Sequence, residues 1–422
     1  MTTAGALRYL GESKEERLKS LLLFTYFFLV IAVFWTMKPI RTSKFLSILG
    51  VQFLPYMKLG TAGLVLPIMM FYSVLSRRYR REYLVSGWCV FFSWIALVFW
   101  RLFSGDAAPA VHVAFFFFVD IYITVMVALF WSFANDLTPP EQARRTYGLV
   151  GAGGILGGVA GSAATGWLSG AMGPHNLLFV CALLLLVIPG IALPAARAVE
   201  RPPAAAPGPV FDWSAAVAGA RLTFKTPYLL QIAGIVTLYE IISNLVDYQF
   251  SAAVAVAYPQ EAAMAAFLGK FFTVNIAVSV VFQLIFTTLI LRRWGPKVGL
   301  LILPLVLGLG SAAFLAVPVF TFAAGLLAAD SILHYSVNQT SKEVLYTPTD
   351  ESVKYRAKAF IDMFLYRFAK GISSLLILAT NLFLIPHGWR PEHLGVFSLL
   401  FAAAWLLLTR KASAEFDLRT GR

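Results

Sequence analysis

Long apolar runs separated by short charged clusters set the pattern of this chain. Twelve runs reach spanning length: about 20–37, 53–75, 83–103, 111–133, 148–169, 176–196, 228–248, 262–291, 298–317, 320–338, 359–385 and 394–409. A helix needs about 20 mainly apolar residues to cross a ~30 Å hydrocarbon core. The pattern therefore predicts an all-α polytopic membrane protein with twelve transmembrane helices. Composition agrees: 59% of residues are hydrophobic and 13% charged, where a soluble protein carries about a quarter charged.

The placement of charge orients these helices, because Lys and Arg collect in cytoplasmic loops. With both termini inside, 25 of the 34 Lys and Arg fall in inner segments, Arg77, Arg78, Arg80 and Arg81 among them. The net charge of +13 is thus read as membrane topology, with no nucleic-acid partner. The expected setting is a bacterial inner membrane, with the lipid bilayer as partner and the protein a monomer. The longest connection runs from Arg197 to Lys225 and begins RAVERPPAAAPGP, whose Pro and Ala predict a stiff or extended linker. It divides the chain into an N-terminal six-helix half, 1–196, a cytoplasmic linker, 197–225, and a C-terminal six-helix half, 226–422. Six plus six helices about a cytoplasmic linker match the major facilitator architecture. A twelve-helix fold with broken helices is the alternative.

Charges inside apolar runs are costly and usually face a cavity or one another. In the major facilitator arrangement spans one, four, seven and ten line the central path. Asp120 lies in span four, Glu240 and Asp247 in span seven and Asp330 in span ten, while Lys38, Arg41 and Lys44 follow span one. Span eleven carries Asp362, Arg367 and Lys370. At ~1.5 Å per residue, Asp120, Glu240, Asp330 and Lys370 all fall near the midplane. Lys38, Arg41, Lys44, Lys58, Lys270, Arg367 and Lys370 stand against Asp120, Glu240, Asp247, Asp330 and Asp362, seven cations against five acids. A basic path favours an anionic substrate. The plainer readings are that Lys58 and Lys270 snorkel to the interface, that Asp362 pairs structurally with Arg367 or Lys370, and that Asp330 bonds His334 one turn away.

Span five reads GLVGAGGILGGVAGSAATGWLSG, with glycines four apart on overlapping faces. Small residues at that spacing let helix backbones approach closely. A nucleotide loop does not fit, since Leu156 stands where G-x-G-x-x-G needs its third glycine. Cys89 and Cys181 sit singly in apolar runs, without disulfide or metal spacing. No catalytic constellation, metal site or cofactor is expected.

Four stretches resemble the ATP/ADP antiporter family of plastids and intracellular bacteria. LFWSFANDLTPPEQARRTYGLVGAGG, 129–154, is similar to the family's F-W-x-F-A-N…E-A-K/R-R-x-Y pattern. ISNLVDYQF, 242–250, followed by FLGKFF, is similar to an N-L-V-E-x-x-W segment and an F-M-G segment. SKEVLYTPTDESVKYRAKAFID, 341–362, resembles K-E-x-x-Y-x-P-x-D-x-x-x-K-x-K-A-x-I-D, and IRTSKFLSI, 40–48, stands beside R-D-T-K-D. The resemblance implies a divergent, major-facilitator-like exchanger of adenine nucleotides. Family charged positions fall on Lys44 and Asp247, with Asp120 the nearest acid in span four, and on Lys342, Glu343, Lys354 and Lys358. The departures are Asp247 for a glutamate, Phe250 and Ser251 for a Trp-Lys pair, and R-T-S-K-F for R-D-T-K-D.

The expected function is antiport of ATP/ADP-type nucleotides or a related phosphorylated anion by alternating access. Lys44, Lys270, Arg367 and Lys370 would bind phosphate oxygens, and Asp120, Glu240 and Asp247 would pair with these bases when the site is empty. Lys38, Arg41, Asp330, Lys342, Glu343, Lys358 and Asp362 form the expected gating or ion-pair set. The alternatives are a proton-coupled carrier of another organic solute, and a non-transporting scaffold or sensor.

Overall fold

The computed structural model describes residues 13–197, 213–349, 357–358 and 360–420. Helices account for the regular structure, and no strand occurs among the described residues. Lipid offers the backbone no hydrogen-bond partners, so a spanning segment must satisfy them within itself. The helices are α1 Lys14–Ile48, α2 Leu54–Arg78, α3 Arg81–Leu102, α4 Pro109–Leu137, α5 Pro140–Met172, α6 Asn176–Arg197, α7 Trp213–Lys225 and α8 Pro227–Ala257. There follow α9 Glu261–Phe282, α10 Thr288–Ala316, α11 Phe320–Leu333, α12 Gln339–Leu345, α13 Tyr366–Ala379 and α14 Gly395–Thr420. Wide π turns at Gln283–Thr287, His334–Asn338, Ile361–Leu365 and Thr380–Leu384 continue or join helices in the C-terminal part.

Among the described residues the twelve apolar runs are almost wholly helical. Runs eight and nine follow each other within Glu261–Ala316, with a kink at the non-helical Gly295, where φ is +76°. Two differences from the sequence reading stand out. Helix α1 does not end near Met37 but carries Lys38, Arg41 and Lys44 on its own last turns, passing through Pro39. The linker is not extended throughout, since 213–225 is helical. Its last proline is Pro209, and four alanines follow within α7, which favours helix. Residues 198–212 lie outside the described residues.

Packing divides the described residues into two units. The first draws on Met1–Leu49, Gly63–Val210 and Tyr258–Ile276, the second on Gly50–Ala62, Phe211–Ala257 and Ala277–Arg422. The first unit is built on α1 and α5. Gly153, Gly157 and Gly161 face the main-chain carbonyls of Phe24, Phe28 and Ala32, so tightly that any added Cβ would collide with backbone. Hydroxyls stitch the same seam: Thr165 Oγ1 donates to Thr36 O at 2.8 Å, and Thr36 Oγ1 to Gly161 O at 3.1 Å. On a further face Gly166 meets the backbone of Gly269 and Lys270 in α9. Around α1 lies an aromatic core, with Tyr26 edge-on to Phe130 at 5.0 Å and Phe92 edge-on to Tyr122 at 5.2 Å.

In the second unit α8 is the central helix, packed by α11, α13 and α14. Tyr228, at its start, donates to Leu345 O at 2.6 Å. Tyr239 meets Trp405 edge-on at 5.7 Å.

Gly157→Ala should lower the thermal midpoint of the detergent-purified protein, since overpacking costs about 1–3 kcal/mol. Gly170→Ala, on the same helix but with open space around it, should leave the midpoint unchanged or raise it. Equal shifts for the two variants would contradict the close approach.

Candidate functional site

Three cations occupy one face of the end of α1, spaced three residues apart. Each sits on an aromatic ring. Lys38 Nζ lies 4.3 Å from the Trp35 ring centroid and 4.6 Å from that of Phe272. The Arg41 guanidinium lies 4.1 Å from Phe116, and Lys44 Nζ 4.1 Å from Phe103. Ring faces attract cations, more so where water is displaced. Arg41 and Lys44 also each hold a carboxylate. Arg41 Nη1 is paired with Asp120 Oδ1 of α4. Lys44, buried, makes a 2.9 Å ion pair with Glu261 at the start of α9.

The second unit places its polar groups along one stripe of α8: Tyr239, Glu240, Ser243, Asn244 and Asp247, spaced for neighbouring turns of a single face. Near its C-terminal end Lys58 bonds Asp247 Oδ2 at 2.6 Å and also donates to Asn244 Oδ1. Asn244 in turn donates to Ser373 Oγ at 2.6 Å and Ser374 Oγ at 3.3 Å on α13. One turn lower, buried Glu240 faces Lys370 of α13 at 3.9 Å. Lys370 Nζ donates to the Tyr366 hydroxyl at 2.6 Å. Buried Asp330 of α11 accepts from Ser243 Oγ at 2.6 Å, while its Oδ1 has no hydrogen-bond partner among the described residues. The His334 backbone N–H donates to Asp330 O, but its ring makes no hydrogen bond to the Asp330 carboxylate among the described residues and stacks on Tyr239 instead, centroids 4.2 Å apart and planes 2° from parallel.

Toward the other end of this unit, Lys358 pairs with Glu343 at 2.6 Å, joining the two ends of the 341–362 motif. Lys342 is buried beside it in α12. Residues 350–356 and the side chain of Asp362 lie outside the described residues. Lys270 and Arg367 are exposed, with no ion pair among the described residues. Lys270 shares its face of α9 with the exposed Val274 and Val281.

Sequence reasoning missed Glu261, Ser243, Asn244, Ser373, Ser374 and Tyr366. A usable signal existed: hydroxyls and an amide stand three or four residues from a charge, as Asn244 does from Asp247 and Ser373 from Lys370. Glu261 carried none, since it reads as an ordinary acid in a helix's first turn. Adding it to the acids named from the sequence makes six acids against the seven cations.

A family described as TLC ATP/ADP transporter matches residues 216–334. ADP,ATP carrier protein 1 of Chlamydia pneumoniae is 25% identical over 344 residues, which cover 72% of this chain and 67% of that protein. ADP,ATP carrier protein 2, chloroplastic, of Arabidopsis thaliana is 24% identical over 336 residues, 72% of this chain and 54% of that protein. ADP,ATP carrier protein 2 of Chlamydia trachomatis is 22% identical over 477 aligned positions, 93% of this chain and 88% of that protein. The first relatives are therefore matched over about half to two thirds of their length. Among solved structures, a POT family transporter superposes with a TM-score of 0.66 at 11% identity, over 95% of this chain and 98% of that one. The nucleoside transporter NupG gives 0.62 at 12% identity, over 94% and 99%. These likenesses carry the fold: an all-α polytopic membrane protein of the major facilitator type.

Asp120→Asn should destabilise the protein by roughly 1.5–3 kcal/mol, the usual worth of a hydrogen bond to a charged group, because it leaves the guanidinium of Arg41 half-satisfied. The double variant Arg41→Gln with Asp120→Asn should cost less than the sum of the single changes. Strict additivity in thermal or denaturant unfolding would show the two side chains to be uncoupled.

Proposed function

We propose, from the chain's standing as a divergent relative of the ATP/ADP antiporters, that it exchanges ATP/ADP-type nucleotides or a related phosphorylated anion across a membrane by alternating access. One observation carries this reading. The stretch that matches the ATP/ADP transporter family, 216–334, contains Glu240, Asp247, Glu261 and Asp330, four of the acids described above.

Cations held by carboxylates suit such a task. Phosphate oxygens are strong acceptors for charge-assisted bonds and compete for the same ammonium and guanidinium groups. Lys44 lies against Glu261 and Lys370 against Glu240, and an arriving phosphate would take the place of the acid. Lys270 and Arg367 complete the proposed anion-binding set, and Asp120, Glu240 and Asp247 serve as its counter-ions. With no substrate the cations stay on their acids, and the empty carrier reorients slowly, which enforces exchange. The pairs Lys44 with Glu261 and Lys58 with Asp247 are suited to open when substrate anions compete for the lysines. Lys342, Glu343 and Lys358 are suited to the cytoplasmic side. In this reading the protein is a monomer in a bacterial inner membrane with both termini inside, and it leaves its solute chemically unchanged.

A proton-coupled carrier is the second reading. It is favoured by one feature, the buried Asp330 Oδ1 that lacks a hydrogen-bond donor among the described residues.

Proteoliposomes preloaded with ATP or ADP should take up labelled nucleotide, and empty ones should not. Lys44→Gln should reduce exchange at least tenfold while the protein remains folded. Absence of uptake with every nucleotide tried would remove the substrate assignment. Uptake into empty vesicles that follows a pH gradient and stops with an uncoupler would favour the second reading instead.

A further inference from the structure

The linker helix α7 presents two contrasting faces. At 100° per residue, Val217, Arg221 and Phe224 lie within a 60° arc, with Lys225 at its edge. Val217 and Phe224 are 60% and 62% exposed, and Arg221 and Lys225 are exposed as well. The opposite face is closed: Gly219 and Thr223 are buried, and Thr223 returns its hydroxyl to Gly219 O at 2.8 Å. The helix contains no acidic residue. It ends two residues before Pro227, which opens the spanning helix α8. The spanning helix α8 thus begins within two residues of its end, which is consistent with a place at the boundary between hydrocarbon and water.

Large apolar side chains standing in water at that level would be costly, at roughly 25 cal/mol per Å² of exposed apolar surface. The basic side chains that flank them, Arg221 and Lys225, make no ion pair among the described residues. Both features are met by one partner. A helix with apolar side chains on one face and Lys or Arg beside them lies in the plane of a bilayer surface. Each basic group near an anionic leaflet gains about 1 kcal/mol.

We propose that α7 is an in-plane anchor for anionic phospholipid: Val217 and Phe224 enter the acyl boundary, and Arg221 and Lys225 hold lipid phosphates. The anchor would fix the membrane depth of the linker just before α8. The inference rests on the inside placement of the linker and not on the substrate, so its failure would leave the transport reading intact.

Single cysteines at Val217, Phe224 and, as a water-facing control, Glu141 can carry an environment-sensitive fluorophore. Cys89 and Cys181 are buried, and unaltered protein shows whether they label. The protein is reconstituted in phosphatidylcholine vesicles with or without phosphatidylglycerol. Probes at 217 and 224 should emit to the blue of the probe at 141. Lipid-borne nitroxide should quench them more than aqueous iodide does. In the anionic vesicles, Arg221→Gln and Lys225→Gln should each lower the lipid-to-water quenching ratio roughly fivefold, the factor that matches one basic charge at an anionic surface. Both probes quenched chiefly by iodide would overturn the proposal. So would a ratio indifferent to phosphatidylglycerol and to both substitutions.

Discussion

A charge inside a hydrocarbon slab has to be matched close by, and this requirement organises the polar interior of the chain. Insertion scales put a lone central charge at about 2.5–3.5 kcal/mol. The observed remedy is layered. Arg41 has a carboxylate and a ring face, Lys44 has the same, and Lys370 has an acid, a phenol hydroxyl and the ring that bears it. Acids are treated alike: Asp247 shares Lys58 with Asn244, which is itself held by two serines. Apart from Tyr366, one turn from Lys370, the partners in these groups are distant in sequence from the charge they meet. The polar contacts therefore depend on the helices being correctly set side by side.

The first unit meets that demand through backbone proximity. Gly153, Gly157 and Gly161 let α5 lie directly on the carbonyls of α1, so the end of α1 that carries Lys38, Arg41 and Lys44 is held by contacts without side-chain freedom. The threonine bonds at Thr36 and Thr165 add a polar register mark to the same seam. A seam of small residues resists shear because any sliding drives the glycines past the facing backbone.

Much of this was legible in the sequence. Twelve apolar runs, the glycine stripe and the isolated charges at 120, 240, 247, 330 and 370 needed only periodicity and the cost of burying charge. What escaped reading was of two kinds. Helix α1 outran its apolar stretch, because a helix tolerates Pro39 and its cations once neighbouring side chains receive them, and hydropathy does not record neighbours. Which acid meets which base was also hidden, since Lys44 and Glu261 are separated by 217 positions and no local spacing links them.

The four π turns all belong to the second unit, and two of them flank the polar stripe: His334–Asn338 directly after the Asp330 turn, Ile361–Leu365 directly before Lys370. A π turn houses one more residue than an α turn over the same rise. Everything beyond it is phased by about 100° against an uninterrupted helix. The π turns of the second unit thus set the azimuth at which the charges beyond them stand, while the glycine-seamed helices of the first unit, free of π turns among the described residues, keep an uninterrupted α phase.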